Sequence, residues 1–215
     1  MMYIMEPTFS QKHPLLKDIF SLGGFLLAVV LGTIFLNTYV YRSYNVVGNS
    51  MLNTFQNGDR VVVNRLAVSI AHFKGEEYVP ERGQIIVFAN GEASGPLTCD
   101  PPDNVDDQYI IKRVVAFPGE RVTVKDGILT VYNDEYPEGH IYDTEWREDG
   151  GIGPKEYTYG DVDIIVPAGE LFVSGDNREG LNSLDSRSGL GTIPYCRIMG
   201  PVLFRLYPFD KMRGF

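Results

Sequence analysis

A long apolar segment lies near the N-terminus of the chain. No charged residue occurs among the 23 positions from Ile19 to Tyr41. A helix of that length would measure roughly 34 Å, against a bilayer hydrocarbon core of about 30 Å. Residues 25–31 are apolar on every side, which is typical of a membrane-spanning helix and not of an amphipathic surface helix. We therefore predict a transmembrane anchor at residues 19–41.

Two other kinds of apolar helix fit this segment less well. A cleaved signal peptide would have a shorter apolar region followed by small residues, and residues 37–42 offer no such site. A buried core helix is usually shorter and carries some polar positions. Because Lys12 and Lys17 precede the segment, the positive-inside rule predicts that residues 1–18 are cytoplasmic and residues 42–215 extracytoplasmic.

After the anchor, short hydrophobic runs separated by turn residues predict a mainly β domain. Strands are predicted at residues 59–64, 84–88, 109–117, 163–166, 170–174 and 198–206, with a hairpin over 121–131 that turns at Asp126-Gly127. Residues 67–73 fit either a strand or a short helix, 90–107 a long surface loop, and 133–162 an inserted excursion of loops and short strands. The predicted fold is a partly open β-barrel or sandwich behind one transmembrane helix.

Composition and charge narrow the possible partners. The 215 residues are 44% hydrophobic and 22% charged, as in globular proteins, and the net charge of −9 disfavours a nucleic-acid partner. Three basic and two acidic side chains give residues 1–42 a charge of +1, which leaves −10 for residues 43–215. Cys99 and Cys196 could form a disulfide or remain two unpaired thiols, and the sequence does not choose between them.

Ser50 is a candidate nucleophile. It lies in a glycine-containing stretch, residues 45–55, directly after the anchor, and a serine hydroxyl needs a base to take its proton. The histidines are poor candidates for that base. His13 would lie across the membrane, while His72 and His140 occupy mixed contexts typical of surface residues. A Ser-His-Asp triad is therefore disfavoured.

Lys112 offers a different base. It alternates with Ile110 and Val114 on one face of the predicted strand 109–117. If this face is buried, desolvation lowers the pKa of the amine, and a fall of roughly two units would let it act as a base near neutral pH. The alternative is that Lys112 and Arg113 form an exposed basic pair at a strand edge, and the spacing fits both arrangements.

A third polar stretch, residues 174–189, follows a predicted buried strand. Asp185 and Arg187 are spaced to form an ion pair, and serine hydroxyls in this stretch could orient an amine. A solvated loop is the alternative interpretation.

Taken together, these stretches resemble type I signal peptidase, the membrane-bound Ser/Lys endopeptidase, in its Gram-positive bacterial form. The resemblance rests, in order behind the anchor, on residues 48–51 (GNSM), 82–88 (RGQIIVF), 112–120 (KRVVAFPGE), 175–178 (GDNR) and 183–187 (SLDSR). It implies that Ser50 is the nucleophile and Lys112 the general base. It also implies that Ser183 hydrogen-bonds to the Lys112 amine, that Asp185 and Arg187 brace the loop, and that the Ser50 N–H donates to the oxyanion.

The resemblance also implies how a substrate binds. Family substrates add as a strand and present small side chains, and shallow pockets lined by Val46, Met51 and Ile111 would suit alanine. Gly48 stands where some relatives carry a second oxyanion-binding serine, so a further donor must come from backbone or water. Asn53 replaces the usual proline, which predicts a less rigid turn.

The predicted function is therefore removal of signal peptides from exported preproteins by a membrane-bound serine endopeptidase that needs no metal or cofactor. The expected partners are signal peptides and the lipid bilayer, with the secretion machinery nearby. Two alternatives stay open: a non-catalytic assembly factor related to signal peptidases, and a peptidase dedicated to one surface or pilus substrate.

Overall fold

The computed structural model describes residues 14–90, 109–142, 158–179 and 183–215. Most of the predicted 90–107 loop and the middle of the 133–162 excursion lie outside these ranges. The chain forms two compact units, Met1–Val40 and Tyr41–Phe215.

The described part of the N-terminal unit, residues 14–40, is helical. Helix α1, Pro14–Phe35, continues into a π-helical turn at Leu36–Val40. Residues Leu15–Val40 form a candidate membrane span of 26 residues, and its most apolar stretch is not buried against protein. The helix therefore begins before the predicted position 19. It also stops short of the predicted end, because Tyr41 is already the first residue of a β-strand.

The second unit consists of antiparallel strands and confirms the mainly β prediction. Its strands are β1 Tyr41–Asn45, β2 Arg60–Asn64, β3 Ile85–Ala89, β4 Tyr109–Ala116, β5 Arg121–Lys125, β6 Ile128–Tyr132, β7 His140–Ile141, β8 Val162–Ile165, β9 Glu170–Ser174, β10 Ile193–Pro194, β11 Ile198–Tyr207 and β12 Arg213–Gly214. In the described residues, one sheet has the order β1-β2-β11-β3-β4-β9-β10, with β12 on β11, and the other has the order β7-β6-β5-β8. Neither sheet closes into a barrel.

The sequence patterns located most of these strands. The β5–β6 hairpin turns at Asp126-Gly127, where both residues take the positive φ that a tight hairpin turn requires. The ambiguous stretch 67–73 is a helix, α2, Leu66–Phe73. In β8, Asp163 and Ile165 are exposed while Val162 and Ile164 are half-buried, because one face of this sheet is open to solvent.

An apolar cluster supports the segment between β1 and β2. It contains Val46, Met51, Phe55, Val61, Val63, Ile85, Val87 and Val202. Strands β2, β3 and β11 thus provide a fixed floor under the turn that carries Ser50. The position of that serine is set by core packing and not by a flexible loop.

Candidate active site

Ser50 is held out of the core by the residue that follows it. Met51 and Phe55 are fully buried, and the Phe55 N–H donates to the Met51 carbonyl at 2.7 Å, which closes a helical turn. Ser50 itself is half-buried at the start of this turn. Burial of Met51 and Phe55 therefore leaves the Ser50 hydroxyl at the edge of the core.

The same turn explains the asparagine that replaces the expected proline. Asn53 has φ of +77°. Proline is restricted to φ near −65°, whereas asparagine enters the left-handed region at low cost. A proline could not take this backbone conformation, so the turn is built differently from one containing proline.

Lys112 lies on β4 beside Ser50. Its side chain is 3% exposed, and its Nζ donates to Ser50 Oγ at 2.7 Å and to the Ile111 carbonyl at 2.8 Å. β4 runs between β3 and β9, with Lys112 opposite Ile86 of β3. Of the two arrangements that the sequence left open, the structure therefore has the buried one.

Burial changes the acidity of this amine. Desolvation lowers the pKa of Lys112 to about 8. The Asp185 and Asp176 carboxylates oppose this change because they stabilise the ammonium, while the Arg187 guanidinium reinforces it. An appreciable fraction of the amine is then neutral at mildly alkaline pH and able to accept a proton from Ser50.

Arg113, the next residue on β4, points to the opposite face and meets a different carboxylate. Its Nε and Nη2 contact the two oxygens of Asp176 at 2.7 and 2.6 Å. The Thr54 hydroxyl, from the nucleophile turn, donates to the same carboxylate. Burial opposes ionisation of Asp176, but the Arg113 contacts outweigh it and hold the pKa of this carboxyl below its usual range. Thr54 and Asp176 had no predicted role, although each lies in a stretch that carries the resemblance or borders the nucleophile.

Asp185 and Arg187 form the expected ion pair. Arg187 Nη2 lies 2.8 Å from Asp185 Oδ2, and both side chains are almost completely buried. The Gly175 N–H also donates to this carboxylate at 2.8 Å, and Arg187 Nη1 donates to the Tyr159 carbonyl at 3.2 Å. The pair thus ties the loop after β9 to the segment around residue 159.

Ser183 differs from the expectation. Its hydroxyl donates to Asp185 Oδ2 at 2.6 Å, whereas Lys112 Nζ uses the Ser50 and Ile111 oxygens. The expected hydrogen bond from Ser183 to the Lys112 amine is therefore not formed in this structure. A hydroxyl has one proton, and the buried carboxylate is a stronger acceptor for it than a neutral group would be.

A groove of about 410 Å³ opens beside Ser50 and Lys112. It is lined by residues 44–50, 61, 87, 109–112 and 184. Val46 and Ile111 belong to this lining, as the sequence predicted. Met51 lies outside this lining, contrary to the prediction, because it is buried beneath the turn as part of the floor.

One backbone donor at the groove is available. Among the described residues, the Ser50 N–H has no hydrogen-bond acceptor, whereas the Gly48 N–H donates to Asn57 Oδ1 at 3.0 Å. A side chain at position 48 would meet no atom within 4 Å, although φ of +90° there favours glycine. Gly48 therefore shapes the turn and leaves open space beside the serine.

The described part of the chain contains no candidate metal site. No group of three or more His, Cys, Asp or Glu side chains there could hold a metal ion.

Comparisons with known proteins agree on one family. The family model for signal peptidase, peptidase S26, matches residues 17–207. Signal peptidase I T of Bacillus subtilis is 31% identical over 198 residues, which cover 89% of this chain and 86% of that protein. Signal peptidase I S of the same species is 32% identical over 189 residues, or 87% and 88% of the two chains. A crystal structure of a signal peptidase I from Enterococcus faecalis aligns at 26% identity with a TM-score of 0.38, covering 57% of this chain and 96% of that one.

The match to the family model extends over most of the chain, and both Bacillus relatives exceed 30% identity over nearly their full length. The chain belongs to the signal peptidase family, peptidase S26, and is a serine endopeptidase that cleaves signal peptides from preproteins.

Proposed function

We propose that Ser50 is the nucleophile of this peptidase and Lys112 its general base. The observation that carries the proposal is the 2.7 Å contact between a serine hydroxyl and an amine whose side chain is 3% exposed. An amine in that position can be neutral at the pH where the serine must be activated. Retention of both groups in contact also disfavours the alternative of a non-catalytic assembly factor.

In the acylation step, Ser50 Oγ attacks the scissile carbonyl carbon while its proton passes to Lys112 Nζ. The Ser50 N–H, which has no acceptor among the described residues, donates to the developing oxyanion. The tetrahedral intermediate then collapses: the C–N bond breaks, and the Lys112 ammonium gives its proton to the leaving amine, the new N-terminus of the mature protein.

Deacylation repeats these steps with water as the nucleophile. Neutral Lys112 removes a proton from a water molecule that attacks the ester carbonyl. The ester C–O bond breaks, Ser50 Oγ recovers a proton from the ammonium, and the signal peptide leaves with a free carboxylate. Asp185 and Arg187 act indirectly in both steps: desolvation lowers the pKa of Lys112, the Asp185 charge opposes this change, and the Arg187 charge adds to it.

The groove supports a preference for small side chains. Val46 and Ile111 line it close to Ser50. Val46 is only 4% exposed, so it belongs to the core and cannot move aside for a large side chain without disturbing the packing beneath. We propose that these residues form the shallow pockets for alanine-like residues before the cleavage site.

We further propose that α1 anchors the enzyme in the cell membrane, with its N-terminus in the cytoplasm and residues 42–215 outside. The uncharged run from Ile19 to Tyr41 and the preceding Lys12 and Lys17 support this orientation. Cys196 is disulfide-bonded, which fits an oxidising, extracytoplasmic compartment. The chain has one other cysteine, Cys99, outside the described residues. The secretion machinery would then deliver substrate on the same side, and protease added to intact spheroplasts should digest the catalytic unit.

Substitution of the two catalytic groups tests the proposal. Ser50→Ala and Lys112→Met should abolish cleavage of a preprotein with alanine at the first and third positions before the cut. Matched controls are Ser43→Ala, an exposed serine on β1, and Lys125→Met, an exposed lysine on β5. Both controls should keep normal activity.

The outcome that contradicts the assignment is equally specific. If membranes that contain only the Ser50→Ala protein still release mature protein at the normal rate, Ser50 is not the nucleophile. Lys112→Arg should also be inactive, because a guanidinium stays charged. Activity of that variant would exclude a neutral base at position 112.

A further inference from the structure

Helix α2 exposes an apolar stripe that has no role in the site described above. Leu66, Ile70 and Phe73 are spaced i, i+4 and i+7, so they lie on one face of the helix. Their exposed fractions are 41%, 46% and 93%, whereas Val68 is 3% exposed and anchors the helix to the domain. Single exposed apolar residues are common, but a continuous stripe that includes a nearly fully exposed phenylalanine indicates a binding surface.

The position of α2 next to the β1–β2 pair indicates what this surface contacts. Tyr41 directly follows the candidate span Leu15–Val40 and is the Cα partner of Asn64 in the β1–β2 pair. Paired Cα atoms lie about 4.5–5.5 Å apart, and two further residues extend about 7 Å at most. Leu66 therefore starts α2 within about 13 Å of the residue at which the chain leaves the span. If the span crosses the bilayer, this end of α2 is at the membrane surface.

Charge supports the same partner. Arg65 and Lys74 flank the helix, which itself carries no acidic side chain, and Glu76 and Glu77 follow. Residues 43–215 as a whole carry −10, so a helix without acidic side chains stands out from an acidic domain. Apolar side chains flanked by cations are typical of helices that lie in the interface of anionic membranes.

We propose that α2 lies in the membrane interface beside the point where the chain leaves the bilayer, with Leu66, Ile70 and Phe73 inserted among the acyl chains. The inference rests on the proposed anchoring of α1 but not on the catalytic roles of Ser50 and Lys112. A covalent tether at Tyr41 and an interfacial helix at residues 66–73 would together restrict how the catalytic unit tilts over the membrane.

Fluorescence quenching by lipids tests the proposal on the full-length chain. Trp146→Phe removes the sole tryptophan, and Phe73→Trp then places a reporter on the stripe. The matched control is Ile165→Trp, on β8 of the other sheet, where the native side chain is 64% exposed. In vesicles of phosphatidylcholine and phosphatidylglycerol with brominated acyl chains, we expect emission from position 73 to fall about two-fold or more, with little change at position 165.

Quenching at position 73 that does not exceed quenching at position 165 would overturn the proposal, as would protection of position 73 by a second copy of the chain. Ile70→Trp should repeat the result at a second position of the stripe. Replacement of Leu66, Ile70 and Phe73 by serine should lower processing of a vesicle-bound preprotein several-fold and leave cleavage of a soluble peptide in detergent unchanged. Because the quenching measurement needs no activity, its outcome is independent of the Ser50 and Lys112 assignments.

Discussion

The backbone N–H of Asn177 donates a 3.0 Å hydrogen bond to the carbonyl oxygen of Ser50. The polar stretch after β9 therefore holds the nucleophile turn directly, across 127 positions of sequence. Gly175, two residues earlier, makes this approach possible. A Cβ at Gly175 would collide with both the Ser50 carbonyl oxygen and Ser183 Oγ.

Gly175→Ala should therefore damage catalysis. The backbone at Gly175 does not take a positive φ, so the added methyl group acts only through the space it fills. Overpacking of this kind costs about 1–3 kcal/mol, and a displacement of about 1 Å at a catalytic group can cost about 100-fold in rate. We expect kcat for a peptide substrate to fall roughly 10- to 100-fold.

Gly214→Ala is the matched control, because a Cβ there meets the Leu203 carbonyl oxygen at an ordinary 3.7 Å. Its kcat should stay normal. Normal kcat for Gly175→Ala as well would show that the close packing of Ser50 against this loop is not needed for turnover.

The activity should rise with pH through the pKa of Lys112. That pKa is about 8, and only the neutral amine can accept the Ser50 proton. Below it, kcat/KM should fall about ten-fold for each pH unit, since one proton inactivates the base. The measurement is a pH–rate profile with a soluble peptide. If the rise in kcat/KM instead had an apparent pKa near 10.5, the ordinary value for a lysine, the base would not be desolvated.

Asp185→Asn should have two separable effects. It leaves the Arg187 guanidinium buried without its charge partner, which typically costs about 3–5 kcal/mol in the free energy of unfolding. It also removes a charge that raises the pKa of Lys112, so the limb of the pH–rate profile should move to lower pH. Chemical denaturation followed by tryptophan fluorescence measures the first effect, and the pH–rate profile measures the second.

The control for Asp185→Asn is Asp163→Asn, which breaks the solvent-exposed pair with Arg121. It should lose far less stability and leave the pH–rate profile in place, because water screens that pair. If the apparent pKa of the pH–rate profile is the same in Asp185→Asn as in the wild type, Asp185 has only a structural role.

Thr54 is expected to position the nucleophile turn. Its hydroxyl donates to Asp176, which Arg113 of the base-bearing strand also holds. Thr54→Val keeps the shape but loses a hydrogen bond to a charged group, typically worth about 1.5–3 kcal/mol. We expect kcat to fall about ten-fold with a smaller change in KM, measured with the same peptide.

Thr54→Ser provides the comparison, since it restores the hydroxyl and lacks only a methyl group. It should recover most of the lost kcat. If serine and valine reduce kcat equally, packing of the methyl group and not the hydrogen bond explains the effect.

The sequence by itself determined the local elements. The uncharged 23-residue run predicted a helix able to span a membrane, and the Asp126-Gly127 turn between alternating runs located a hairpin. The helix and the hairpin depend on neighbours within a few positions, so periodicity and turn chemistry are enough to find them. Ser50 and Lys112 were candidates from their contexts, and the resemblance to type I signal peptidase implied their roles.

Only the tertiary structure decided which neighbours surround those residues. Whether Lys112 was buried or exposed depended on β3 and β9 pairing on either side of β4, a long-range choice that strand alternation leaves open. The same packing placed Met51 in the floor instead of the groove and turned the Ser183 hydroxyl toward Asp185. Desolvation and hydrogen-bond partners arise from contacts between distant segments, so they become defined only once the chain is folded.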